Sequence, residues 1–279
     1  SFFENIRTLE FHLSHDFKQV FLRRWDETID MHTPRDYLTL EEAVARYKEM
    51  CDLLRTDACY WFVKVTRLGF FAFARLRTKL RAMYDESVAD KYVNILTGSI
   101  DAAYNPNFRF TRALYQLRTK QSSVDEVVAV FGHLAEHELE ISLPRYNERT
   151  EFLEALAART ERPEPRYAES EDAYLRLRSS IKDPELLKDI DVAREYLGLR
   201  EVAKFEYLKG YGILRQLAVL IERKLGWEPG LIFHLDPTEV FLLAREPDRL
   251  LRDALLARQN HHTFQTIEVP PVLDSDDLS

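Results

Sequence analysis

The residues best placed for chemistry begin at His133. His133-Leu134-Ala135-Glu136-His137 reads H-x-x-E-H. On a helix His133 and His137 stand one turn apart and could both ligate zinc, with Glu136 beside them as general base. A third ligand would have to come from a later helix. The alternative is a helix end whose histidines are satisfied by nearby carboxylates. Other common chemistries are excluded by absence. The chain has no G-x-x-x-x-G-K-[ST], no G-x-G-x-x-G, no G-x-S-x-G and no C-x-x-C. With 8 glycines in 279 residues, backbone nests for nucleotide phosphates are hard to build, so the chain does not hold a nucleotide in a standard way by itself.

The elements that must position these residues are helical. Apolar residues make up 46% and charged residues 31%, an ordinary globular composition that can bury a core without metal or disulfide staples. Few glycines and 11 prolines argue against a turn-rich all-β chain. The net charge of −8 disfavours a nucleic-acid partner, while leaving room for a local basic stripe. Cys51 and Cys59 both lie in helical sequence, which fits reduced core thiols better than a disulfide. Ser1-Phe2-Phe3-Glu4-Asn5 is not a signal peptide, and no apolar run reaches the roughly 18 to 20 residues that span a bilayer. A cytoplasmic protein without a membrane partner is expected.

Periodicity predicts an all-α chain of roughly ten helices. Phe11, Phe17, Phe21 and Trp25 mark one helix face. Thr39 is an N-cap followed by Glu41 and Glu42, and no proline interrupts the sequence from there to Tyr84. Helices are expected at 86–98, 108–120 and 123–139, the last opened by a Ser123/Glu126 capping box. Residues 160–172 are polar and carry two prolines, and read as a linker loop. Asp183-Pro184 then opens a run of about 40 residues, about 60 Å long, ending near Gly226. Gly198, Gly210 and Gly212 are candidate bends in it. A minimal β element is allowed at Leu231–Leu235 and Thr266–Val269, and Asp236-Pro237 restarts a helix. The expected division is a helical sub-domain at 1–159, the linker at 160–172, a second helical sub-domain at 173–264 and an extended exit at 265–279.

Three groups of motifs, in order, carry a family resemblance. They are Phe131-Gly132-His133, then Glu138-Leu139-Glu140 and Pro144-Arg145-Tyr146; Arg200-Glu201 with Lys204 and Arg215; and Ile232-Phe233-His234-Leu235 with Glu239-Val240. Together they resemble the central helical region of the phosphoenolpyruvate synthase and rifampicin phosphotransferase family, over about residues 125–275 and more weakly over 60–120. Leu134-Ala135 replaces the family's Arg-Gly, Tyr146 replaces a tryptophan, and His234 stands where Phe or Tyr is common.

The resemblance implies a central acceptor-binding and linker domain of an ATP-dependent phosphotransferase, inactive alone. An upstream ATP-grasp domain would bind ATP and magnesium. A downstream phosphohistidine domain, toward which the 265–279 segment exits, would carry the phosphoryl group to a small-molecule hydroxyl or enol acceptor. Ser1 would then be an internal start. No catalytic residue and no cofactor are expected in this chain. His133, Glu138, Glu140, Arg145, Arg200, Glu201 and Lys204 become candidates for one substrate-binding or inter-domain network. The same charges also read as solvated positions, where an i,i+4 pair is worth about 0.3–0.5 kcal/mol. Tyr60, Trp61, Phe62, Phe70, Phe71 and Phe73 read as core or as the wall of an apolar pocket. Arg67, Arg75, Arg77, Lys79 and Arg81 read as a solvated face or a dock for an acidic sibling domain, and His261-His262 as linker or surface. A zinc hydrolase built on His133 and His137 is one alternative. A helical adaptor is another, and it requires a packed interior beside Gly132–Arg145.

Overall fold

The structure, a computed structural model, describes residues 13–98 and 105–265. Among them every regular element is helical and there is no strand. A π-helical turn at Phe17–Phe21 leads into α1 (Leu22–His32). Then come α2 (Leu40–Leu53), a second π turn at Leu54–Ala58, and α3 (Cys59–Met83), wound as one continuous helix. They are followed by α4 (Glu86–Gly98), α5 (Pro106–Arg118), α6 (Val124–Phe131), α7 (Thr150–Arg159) and α8 (Glu164–Ser180). The 42-residue α9 (Pro184–Leu225), the short α10 (Pro237–Val240) and α11 (Pro247–Gln265) complete the chain.

The caps are the ones the sequence predicts. Thr39 and Glu42 exchange hydrogen bonds at the start of α2, and Ser123 and Glu126 do the same at α6. The long helix runs unbroken through Gly198, Gly210 and Gly212. No described helix is long and apolar enough to cross a membrane. Cys51 and Cys59 are half-buried rather than core, and neither is in a disulfide. Eight residues apart on one continuous helix, they are separated by a rise of about 12 Å, twice the usual span of a disulfide.

Several expectations are corrected. Residues 160–172 are not a loop: α8 begins at Glu164, directly after Pro163, leaving a short corner. The chain divides elsewhere, into one compact unit of residues 1–33 and 52–213 and a second of 34–51 and 214–279. Leu231–His234 is a 3₁₀ turn instead of a β element, because buried Glu222 accepts the amide protons of Gly230 and Ile232 and curls the chain around its carboxylate. Thr266–Val269 and the 265–279 exit beyond Gln265 lie outside the described residues, as do the side chains of His261 and His262.

In the larger unit the long helix α9 is the shared spine. Leu186, Ile190 and Ala193 pack with α3, α4 and α8, while Phe205 and Leu208 pack with α5, α6 and α7. Trp61 of α3 meets Phe17 and Phe21, and Phe62 stacks on Tyr207. Tyr60, Phe70 and Phe71, also expected in the core or in a pocket, are exposed, since positions this close on one helix cannot share its buried face. In the basic run of α3, Arg67 is exposed, while Arg75, Arg77, Lys79 and Arg81 all engage carboxylates. Arg75 and Lys79 hold Asp189, which is fully buried on α9, and Arg77 and Arg81 clasp Asp90 of α4. That clasp pulls the Asp90 carboxyl far below its ordinary range through hydrogen bonds from Arg77 and Arg81.

Candidate functional site

The H-x-x-E-H segment is not a helix. Helix α6 stops at Phe131, where the Gly132 amide closes the last turn on the Val128 carbonyl. To continue, the helix would need the carbonyls of Gly132 and Leu134 for residues a turn ahead. Those carbonyls instead accept from Asn147 (3.0 Å) and Tyr146 (2.9 Å), folding 132–147 back on itself. Gly132 suits this pairing, since a Cβ there would lie 3.0 Å from the Cβ of Asn147. His133 is therefore largely buried and His137 is exposed in a turn, so the pair cannot share one helix face as ligands. Among the described residues no group of three or more His, Cys, Asp or Glu could hold a metal ion. The helix on which the zinc alternative was built is not formed here.

His133 is held from two sides by α9. Its ring meets Phe205 edge-on, with centroids 4.6 Å apart. Gly212 leaves room for it, since a Cβ there would stand 3.0 Å from the His133 Cβ. The Nε2 atom is buried without a hydrogen-bond partner in the described structure. Burial first, then the charges of Lys209 and Arg145, pull its pKa down to about 3. The imidazole is neutral near pH 7.

Arg145 is the largest fully buried side chain, at 0% exposure. Its Nη1 donates to the Glu138 carbonyl (2.8 Å), while its own amide donates to Glu148 Oε1 (3.1 Å). The guanidinium thus holds the far end of the loop that the backbone pairing starts. Glu138 in turn pairs with Lys204 of α9. These three residues, with His133, are brought together. Glu140 accepts from the hydroxyl and amide of Ser142, which hold its carboxyl below the usual range, with a smaller pull from the charge of Arg145. Arg200 pairs with its neighbour Glu201, which also accepts from Asn107 of α5. Along one side of α9, Arg200 and Glu201 turn to each other and to α5, while Lys204, three to four residues on, reaches Glu138 of the loop.

Sequence reasoning missed the most deeply buried ion pair near His133. Glu206 and Lys209 lie 2.7 Å apart on α9, and Lys209 also reaches Asp26 of α1 at 3.0 Å. Burial raises the Glu206 pKa against the opposing pull of Lys209. Burial would lower that of Lys209, but Glu206 and Asp26 outweigh it and the net shift is upward. Trp25 donates to the Glu206 carbonyl (2.8 Å), tying α1 to the same turn. The available signal was an i,i+3 charge pair interleaved with the buried positions Phe205 and Leu208.

The room beside this loop is small. The space lined by Glu136, Leu143, Pro144, Tyr146, Arg149 and Phe152 is about 30 Å³. That is far below the roughly 300–1,000 Å³ of small-molecule sites. Comparison with protein-family models, curated proteins and solved structures finds no match. The arrangement itself can hold a loop rigid on a helix and exclude water from it. The enclosed imidazole and the buried guanidinium contribute packing and hydrogen bonds to that loop.

Proposed function

We propose that this chain is the central helical, acceptor-side and linker domain of an ATP-dependent phosphotransferase of the phosphoenolpyruvate synthase type. One observation carries the reading. The segments on which the resemblance rests are far apart in sequence, yet Glu138 meets Lys204, and His133 seats against Phe205 and Gly212 on the middle of α9. In this reading the loop is a fixed platform, held by Arg145, that helps orient the acceptor and exclude water. ATP and magnesium belong to an ATP-grasp domain, and the phosphoryl group travels on a phosphohistidine domain. The location is cytoplasmic.

Purified chain incubated with γ-labelled ATP and magnesium is expected to release no phosphate and to take up no label. Hydrolysis that scales with the chain overturns the proposal. An immunoblot of source cells is expected to show a band well above 32.9 kDa. A band at that mass favours a second reading, a helical adaptor, which the scant 30 Å³ beside the loop supports.

A further inference from the structure

A much larger room lies away from the loop. A cleft of about 790 Å³ opens where the end of α7, the 160–163 corner and the first turn of α8 face the start of α5. The volume falls within the range of small-molecule sites. Its wall carries Arg159, Arg162 and Arg166 against a single carboxylate, Glu161. In a chain with a net charge of −8, this is a local reversal of sign. Arg162 is 3.5 Å from Glu164. Arg159 and Arg166 have no ion-pair or hydrogen-bond partner among the described residues. The other wall is aromatic: Phe108 and Tyr167 lie with ring centroids 4.6 Å apart, tilted by 42°.

We propose that this cleft binds a small phosphomonoester that carries a flat ring. Each guanidinium offers five N–H donors and no acceptor. With Arg162 shared with Glu164, Arg159 and Arg166 still bring more donors to the space than Glu161 can use, and they suit the terminal oxygens and near double charge of a phosphate ester. The Phe108–Tyr167 pair supplies the face on which a flat ring packs. None of these residues belongs to the motifs behind the phosphotransferase reading, and the proposal stands or falls separately from it.

The test is calorimetric titration of the intact chain with phenyl phosphate, inorganic phosphate and phenol. Phenyl phosphate is expected to bind more tightly than either of its halves. Arg159→Ala and Arg166→Ala should each weaken it by about tenfold, the worth of a charge-assisted hydrogen bond. Phe108→Ala should bring its affinity down to that of inorganic phosphate. Arg23→Ala, at an exposed arginine of α1, should change nothing. Three results overturn the proposal: no phenyl phosphate binding at millimolar concentration, binding unchanged in the Arg159→Ala/Arg166→Ala double variant, or equal affinity for phenyl phosphate and inorganic phosphate.

Discussion

The loop at 132–148 and the cleft at the α7–α8 corner make opposite use of arginine. In the loop, Arg145 is fully buried, reaches the Glu138 carbonyl and leaves about 30 Å³ beside it. In the cleft, Arg159 and Arg166 are exposed around about 790 Å³, with no described partner. The first region carries the recognisable motifs and the second carries the room. A motif residue whose hydrogen-bonding capacity is turned inward stabilises the fold. A cation with idle donors beside open space is available to a ligand. The comparison therefore separates stability from binding, residue by residue.

The largest effect expected is at Arg145. Arg145→Ala removes a buried cation and its packing, leaves the Glu138 carbonyl without that donor, and should cost about 3–5 kcal/mol in denaturant unfolding. A loss below about 1 kcal/mol would mean that the loop is not held as described. Arg159→Ala in the cleft should stay within about 0.5 kcal/mol of the parent in the same measurement.

His133 gives the next largest effect, through pH. Its folded pKa of about 3 lies below the ordinary 6.5, so on acidification the unfolded chain takes up the proton first. Its stabilising contribution is complete above pH 6.5 and is lost as pH falls toward 3, on the order of 1 kcal/mol per pH unit. The stability of the parent relative to His133→Leu, followed by urea unfolding from pH 7 to pH 4, should fall with that slope. A difference independent of pH would show the imidazole to be solvated, and would break the contrast with the open cleft.

Asp189→Asn should cost about 1–2 kcal/mol, less than the loss of Arg145. Its partners Arg75 and Lys79 keep partial access to water and are not stranded when the charge goes. The smallest effect belongs to Lys204→Ala. Its pair with Glu138 is half-exposed, and the loss should be below about 1 kcal/mol and fade further in 1 M salt. A larger, salt-resistant loss would move Lys204 from the rim of the loop network into its buried part.

Much of the secondary structure was legible because it rests on local chemistry. Thr39 and Ser123 cap the helices predicted from them, Pro184 opens the long helix, and 86–98 reads correctly at both ends. The misreadings have local causes too. Residues 132–139 look helical by pattern, but long-range pairing with Tyr146 and Asn147 takes the carbonyls that a helix needs. Residues 164–172 look like a loop through Pro163 and Pro165, yet proline is tolerated in the first turn of a helix, and there α8 begins. At the site, the Glu138–Lys204 pair was within reach of a motif reading, whereas Glu206–Lys209 and the corner arginines carried no motif.

The sequence by itself determined that this chain is all-α, where its caps fall and that one helix would form a spine of about 40 residues, because propensity, capping and periodicity act over a few neighbouring positions. Only the tertiary structure decided which charges are spent and which are idle. Burial, desolvation and the distance between a guanidinium and its nearest acceptor depend on residues many turns away. For that reason Arg145 and Arg159, alike as residues in the sequence, end as a structural anchor and an open donor.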